Sequence, residues 1–265
     1  NQSIGKPILG TKVSVGGFNK DDLIKFCNQY YSPSNLIIGI SGKFNENKIV
    51  NQIKKKFEYL KSGNKSIKPQ YKWNSGFHSE KKDLQQAHVV FGVEGLSNVD
   101  KQRLDLSALS IILGGGMSSK LFQEIREKKG LCYSIFAFQS QFFSSGIFGF
   151  YSACNPNDLE NLLETSLNEI KNLSKNITKS DLDRAKAQLS SGFVRSQDFT
   201  LSRLERNVRS LFTHSKMYSE DYLLKKINEL KISNLLDLYD RLFEDPKTVL
   251  SIIGPDQKDF SKLNI

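Results

Sequence analysis

The feature that most constrains the fold is a helix and strand phrase that occurs near both ends of the chain. The first copy covers Leu23–Gly42 and the second covers Leu235–Gly254, so the two copies span the same number of residues. In each copy an apolar helical stripe stops at a proline, Pro33 or Pro246, and a β-rich run follows that closes on glycine. Two homologous units are therefore predicted, of which the second is whole and the first is only a tail.

The strand predicted over residues 36–42 cannot stand alone. A lone apolar strand leaves its backbone groups unpaired and its edges prone to association. We therefore expect its partners either in missing sequence or in another chain. The first residues lack an initiator Met and a signal-peptide pattern. This start indicates a cut N-terminus, at which targeting cannot be judged.

The domain organisation follows from composition. Residues 1–60 are predicted to be the remainder of a first domain, residues 61–76 a linker rich in Ser, Gly, Asn and Lys around Pro69, and residues 77–265 a complete second domain. The second domain has hairpins and runs of helices instead of strict βαβα alternation. This pattern predicts an α+β fold with a mostly antiparallel sheet and helices packed on one face.

Composition excludes several classes. With 265 residues, 38% of them apolar and 25% charged, the chain can bury a core, and no apolar run is long enough to span a membrane. The net charge of +10 comes from lysines interspersed with acidic residues, as around residues 54–56. Because no recognition motif accompanies this charge, solvated helix faces are favoured over a nucleic-acid partner.

The chain has three cysteines, Cys27, Cys132 and Cys154, and no two of them have CxxC spacing. This usage is typical of buried thiols in a reducing compartment such as the cytoplasm. Neither a disulfide nor a cysteine-ligated metal is predicted.

Motifs for catalysis by this chain are missing. The histidines are His78, His88 and His214, and no two are close enough in sequence for the one-turn spacing of a zinc site. There is no G-x-S-x-G elbow, and the glycines at 114–116 do not follow the phosphate-loop order. We expect no metal site, no cofactor and no peptidase activity in this chain alone.

Arg126 and Tyr133 can approach one point. Arg126 lies in the last turn of a predicted helix and Tyr133 near the start of the next strand, with Gly130 reversing the chain between them. A guanidinium and a phenol could donate hydrogen bonds to a peptide carbonyl or its tetrahedral intermediate. The alternative is that Arg126 complements the helix dipole while Tyr133 packs in the sheet, and the spacing alone favours this alternative.

A family resemblance reverses that preference. The runs Gly-Gly-Gly-Met-Ser-Ser-Lys-Leu-Phe at 114–122 and Arg-Glu-Lys-Lys-Gly-Leu-Cys-Tyr-Ser at 126–134 resemble the second half of the pitrilysin/insulinase-type zinc metallopeptidases, which include the mitochondrial processing peptidase. Similar phrases lie elsewhere, so that the resemblance covers nearly the whole chain: residues 5–10, 31–36, 86–88 and 183–186.

The resemblance implies a specific role. In this family one half carries the inverted zinc motif, while the other half is metal-free and holds substrate with an Arg and a Tyr. It thus implies that the chain forms the metal-free half of a zinc metalloendopeptidase, with all zinc ligands upstream, and that its substrate-binding residues are Arg126, Tyr133, Gly114, Gly115 and Gly116.

The implied partners are a peptide or unfolded-protein substrate together with the missing N-terminal half, a homologous catalytic subunit or a second copy in a homodimer. The alternative function is a non-catalytic subunit or scaffold of a two-chain peptidase complex. The presence of both Arg126 and Tyr133 favours a substrate-handling role over a purely structural one.

Overall fold

A computed structural model describes residues 2–63, 70–255 and 260, and these residues form two compact units. Unit 1 consists of the described residues before Lys72 together with Arg195–Tyr218, and unit 2 consists of Lys72–Val194 and the described residues from Ser219 onward. The sequence-based division placed residues 195–218 in the second domain, whereas the structure groups them with unit 1. Part of the predicted linker, residues 64–69, lies outside the described residues.

The described part of unit 1 has two short 3-10 helices, Ser3–Gly5 and Pro33–Asn35, and four complete α-helices: α1 Lys12–Gly16, α2 Lys20–Tyr30, α3 Glu46–Phe57 and α8 Thr200–His214. The described elements of unit 2 are five strands, a π-helix and further α-helices: β1 Gly76–Lys81, β2 Ala87–Glu94, α4 Arg103–Gly114, the π-helix Phe122–Lys128, β3 Cys132–Gln141, β4 Gly146–Cys154, α5 Leu159–Lys171, α6 Leu173–Asn176, α7 Lys179–Gln197, α9 Glu220–Asn228, α10 Ile232–Phe243 and β5 Val249–Gly254. The last turn of α7, from Arg195, counts with unit 1. No helix within the described ranges is long and apolar enough to cross a membrane.

The sheet of unit 2 has the strand order β1-β5-β2-β4-β3. Only the β1 and β5 pair is parallel, while β5, β2, β4 and β3 pair antiparallel. Strand β2 faces residues 147–154 of β4 without a register shift. The α+β fold with a mostly antiparallel sheet is thus confirmed.

The core lies on one face of this sheet. Alternate residues of β2 and β4 point into it, and Val89, Phe91, Phe148 and Phe150 are at most 4% exposed. Helix α4 packs on β3, and α10 packs on β2 and α4. Burying each such side chain contributes about 1.5–3 kcal/mol, so this layer dominates the stability of unit 2.

Several helix starts follow capping signals. Asn19 and Asp22 form a capping box at the start of α2, and Thr178 and Asp181 form one at α7. Ser97 and Asp100 also have the spacing of a capping box, but the structure shows no such box. The Asp100 carboxylate accepts a hydrogen bond from the Gln102 amide and pairs with Arg241, so α4 begins only at Arg103.

The strand predicted over residues 36–42 is also wrong, since the described residues give this run no strand pairing. Leu204 and Val208 of α8 instead lie against Gly39, where an added Cβ would overlap them. Leu36 and Ile38 remain 42% and 40% exposed. The run has the composition of a strand, but no neighbouring strand within the described residues completes its hydrogen bonds.

Candidate functional site

Arg126 lies in the π-helix. The residues Phe122–Lys128 wind with hydrogen bonds of wider spacing, such as the one from the Lys129 amide to the Glu124 carbonyl at 3.2 Å. A π-helix is rare, is disfavoured relative to an α-helix and occurs frequently at functional sites. Gly130 then adopts the left-handed conformation, with a φ of +63°, and reverses the chain into β3 as expected from the sequence.

Tyr133 occupies a β-bulge. The register of β3 against β4 shifts between Cys132 and Ser134, which leaves Tyr133 without an opposite residue. Its side chain is 77% exposed. A bulge re-aims one side chain at a sheet edge, and here the bulge directs Tyr133 to solvent instead of into the sheet.

The structure brings Arg126 and Tyr133 together. The guanidinium carbon of Arg126 lies 4.8 Å from the centroid of the Tyr133 ring and 4.7 Å from that of Phe122. Within the described residues, neither the guanidinium nor the Tyr133 hydroxyl has a hydrogen-bond or ion-pair partner. Two adjacent donors are thus oriented by ring contacts and remain free to bind an acceptor.

The three predicted glycines have different surroundings. Gly114 is buried, and a Cβ there would overlap the backbone of Ala137 in β3. A Cβ at Gly115 would meet the Ile111 backbone one turn earlier. Gly116 is exposed with a φ of +144° and open space around it. Close packing explains why Gly114 and Gly115 are glycines, and the positive φ explains Gly116. That these glycines bind substrate stays a prediction.

The turn after α4 is held by side chains. Its carbonyl groups at residues 115–118 all accept hydrogen bonds, and two of these come from α7: Gln188 donates to the Gly115 carbonyl at 3.0 Å and Arg184 to the Ser118 carbonyl at 3.2 Å. The amides of residues 116–118 have no acceptor in the described part of the chain. The turn consequently presents donors to solvent.

Asp181 anchors the end of this turn. Its carboxylate is only 5% exposed and pairs with Lys120 at 2.9 Å and with Arg184 at 2.6 Å. Burial alone raises the pKa of Asp181, but hydrogen bonds from Lys120, Thr178 and Arg184 outweigh it and lower the pKa to about 2. The charged form of Asp181 is therefore strongly favoured.

The histidines do not form a metal site. His78 lies on β1, His88 on β2 and His214 at the end of α8, and the His88 ring lies 2.8 Å from the Tyr151 hydroxyl. Among residues 2–63, 70–255 and 260, no three His, Cys, Asp or Glu side chains cluster as a metal would require. The described side chains thus do not fit the zinc ion that the family implies.

Two cysteines meet across the hairpin. Cys132 and Cys154 are opposite one another in the β3 and β4 register, and both are buried free thiols. Burial, with a contribution from the Cys132 thiol, raises the pKa of Cys154 to about 11. Burial also raises the pKa of Cys132, although Ser152 and Arg126 act in the opposite direction.

Comparison with known proteins identifies the family. The family model described as the Peptidase M16 inactive domain matches residues 17–189. The chain belongs to this family. Its match includes the turn at 114–116, Arg126 and Tyr133, and it begins within unit 1.

Relatives of the M16 chain carry the name zinc protease. The chain is 33% identical over 257 residues to an uncharacterised zinc protease of Rickettsia bellii, covering 97% of this chain and 62% of the relative. It is 31% identical over 263 residues to one of Bacillus subtilis, covering 96% of this chain and 62% of the relative. The chain thus spans about three fifths of the length of these relatives.

Solved structures share the fold. A protease from Helicobacter pylori matches with a TM-score of 0.81 at 25% identity, over 93% of this chain and 62% of that chain. A peptidase M16 inactive domain from Pseudomonas fluorescens matches with a TM-score of 0.83 at 19% identity, over 94% and 61%. The second likeness shows the fold alone.

Sequence reasoning missed several residues around the M16 site. Phe122 stands four residues before Arg126, a spacing that places two side chains on one helical face and could have indicated the contact. Asp181, Arg184 and Gln188 follow the i, i+3, i+7 pattern of one helical face on α7. Their common target, the turn after α4, is visible only in the fold.

Proposed function

We propose that this chain is the metal-free half of a zinc metalloendopeptidase and that Arg126 and Tyr133 hold the substrate peptide in its chamber. The observation that carries the proposal is the contact between the Arg126 guanidinium and the Tyr133 ring at 4.8 Å, with both donors unpaired in the described structure. The Tyr133 side chain is 77% exposed and Arg126 is partly exposed, so a ligand can replace the water that binds these donors. Here both are available to a ligand.

The chemistry fits a peptide carbonyl. The N–H groups of a guanidinium lie in its own plane, and the ring contacts of Arg126 do not use up these donors. The Tyr133 hydroxyl adds a neutral donor at the same place. Donors that strengthen their contacts as negative charge develops on a carbonyl oxygen lower the barrier to hydrolysis. The amides of residues 116–118, which have no acceptor among the described residues, are further donors on this unit.

The other half would supply the metal chemistry. A zinc ion bound in that half would supply the Lewis acid for peptide hydrolysis. The described side chains of this chain offer no ligand cluster for that ion. The role of this half is therefore to bind and orient the peptide, which determines how it meets the catalytic half.

The surface of unit 1 also favours a homologous half as the partner. Ser32 is the only buried residue in the part of unit 1 that the structure describes. Large apolar side chains are exposed there, including Leu23 at 58%, Phe26 at 55% and Ile40 at 40%. Such a surface marks an interface. The repeat of Leu23–Gly42 in Leu235–Gly254 makes a homologous half, upstream in the same protein or in a separate subunit, the partner that fits it.

The decisive experiment restores the catalytic half and measures peptide cleavage. Tyr133→Phe removes one donor and is expected to lower kcat by roughly a hundredfold, about 3 kcal/mol of transition-state stabilisation. Tyr239→Phe is the matched control, since the Tyr239 hydroxyl donates to the Lys171 carbonyl and serves structure. Unchanged turnover in Tyr133→Phe would remove the proposed role.

A non-catalytic scaffold is the second candidate. The exposed apolar surface of unit 1 favours it, and the fold also occurs in a chain of Complex III2 from Candida albicans, with a TM-score of 0.83 at 20% identity. A scaffold would form a stable complex with its partner in size-exclusion chromatography. Cleavage by that complex would then be unchanged in both Tyr133→Phe and Arg126→Ala.

A further inference from the structure

Strand β3 has a free edge. It is the outermost strand of the sheet, and within the described residues its backbone pairs only with β4. Alternate N–H and C=O groups of a ten-residue strand, Cys132–Gln141, thus point away from the sheet. Such an edge is a template for one more strand.

The two outer edges of the sheet differ in protection. Natural edge strands are usually blunted by charged side chains, proline or bulges. The other outer strand, β1, is short and carries Glu80 and Lys81. Strand β3 has no charged residue and no proline, and its one register shift is confined to its start, so that residues 134–141 run regularly along β4. Its edge is therefore open to pairing over most of its length.

The free edge is continuous with the donor pair. Tyr133 lies at the start of β3, with the Arg126 guanidinium against its ring. Three residues on, Phe136 is 44% exposed and its ring lies 5.1 Å from that of Tyr151. A strand paired with β3 would have every second side chain on the same face of the sheet as Phe136, with one of them beside its ring, while one end of the strand reached the donors.

We propose that the free edge of β3 binds an extended segment of the peptide substrate as a sixth strand. The segment has no proline, because each amide facing β3 must donate, and it has an apolar side chain beside Phe136. This inference rests on the proposed function and adds the conformation in which the peptide is held. Because backbone pairing accepts many sequences, the edge alone would select among peptides only weakly.

Amide hydrogen exchange followed by NMR tests the pairing. The probe is a peptide of about eight residues that alternates Val and Thr, with lysines at its ends for solubility. At saturation, every second amide over residues 134–141, those not bonded to β4, is expected to exchange at least tenfold more slowly. The free edge of β1 is the internal control and should not change. Uniform slowing, or slowing at β1, would overturn the inference.

Methylated peptides give an independent measurement. N-methylation of the Val amides blocks one edge of the peptide and should leave binding within about twofold, because the other edge can pair. Methylation of the Thr amides as well blocks both edges and should weaken binding at least tenfold. Equal binding of all three peptides would show side-chain recognition without strand pairing and would refute the inference.

The results separate this inference from the proposed function. Alternating protection that persists unchanged in Arg126→Ala and Tyr133→Phe would support the edge and contradict the role of the donors. If peptide binding is lost in those variants and the bound peptide does not protect the β3 amides in the unsubstituted chain, the role of the donors is supported and the edge is contradicted. Protection of β3 that rises with protein concentration in the absence of peptide would assign the edge to a second copy and end the proposal.

Discussion

The Arg126 guanidinium carbon lies 4.7 Å from the centroid of the Phe122 ring, on the π-helix that carries both residues. Phe122 thus limits the directions in which Arg126 can point, and we assign it as a positioning residue. Phe122→Leu keeps an apolar side chain but removes the ring face. The cation–π contact between Arg126 and Phe122 is worth about 1 kcal/mol. Its loss should lower kcat/KM for peptide cleavage by the reconstituted enzyme about fivefold.

Two variants separate positioning from a general loss of structure. Phe122→Tyr restores a ring and should recover the rate. In an Arg126→Ala background, Phe122→Leu should cause no additional loss, because the residue that it orients is gone. Additive losses in the double variant would contradict the assignment.

Asp181 should make the stability of unit 2 depend on pH. Its pKa is lowered from 3.8 to about 2, so its charged form contributes stability that is fully present above pH 3.8 and is lost as pH falls through about 2. In urea unfolding at pH 6, Asp181→Asn is expected to lose about 1–2 kcal/mol. The difference from the unsubstituted chain should shrink as pH approaches 2.

Asp183→Asn is the matched control on the same helix. Its carboxylate pairs with Lys179 at 2.9 Å, but the two side chains are 54% and 85% exposed. Solvent screens such a pair, and its loss should change the free energy of unfolding by less than about 0.5 kcal/mol. A loss at Asp183 as large as that at Asp181 would show that burial does not distinguish the two ion pairs.

Local signals in the sequence indicate several of the helices and strands. The capping residues Asn19 and Asp22 indicate the start of α2, and the alternation of apolar residues around Val89 and Phe91 indicates β2. Both signals are local, because caps and side-chain periodicity depend on residues close in sequence. The M16 motif likewise indicated the Arg126 and Tyr133 pair. The distances between these residues and the bulge that exposes Tyr133 required the fold.

Long-range packing accounts for what the sequence did not predict. Residues 195–218 look like another helix of the second domain, yet Leu204 and Val208 of this segment pack on Gly39 in unit 1. The π-helix has the amphipathic pattern of an α-helix, and its wider hydrogen bonds leave no separate signal. Residues 36–42 have strand composition, but strand pairing depends on a neighbour that composition does not supply.

The buried cysteines should resist alkylation. The pKa of Cys154 is raised to about 11, so at pH 8 roughly one in a thousand of its thiols is the reactive thiolate, and burial blocks access as well. Cys27 is exposed. Iodoacetamide at pH 8 followed by peptide mass spectrometry should therefore label Cys27 first in the native chain. Cys27→Ser should abolish rapid labelling, and fast modification of Cys154 would contradict this assignment.

Glycine substitutions in two helices should act in opposite directions. Gly114 ends α4 against the Ala137 backbone, and Gly114→Ala should cost about 1–3 kcal/mol through overlap with β3. Gly192 lies inside α7, and a Cβ there would have nothing within 4 Å. Gly192→Ala should therefore stabilise the chain by about 0.5–1 kcal/mol, since alanine is the better helix former. Urea unfolding at neutral pH measures both changes, and destabilisation by Gly192→Ala would mean that α7 has a neighbour at this position.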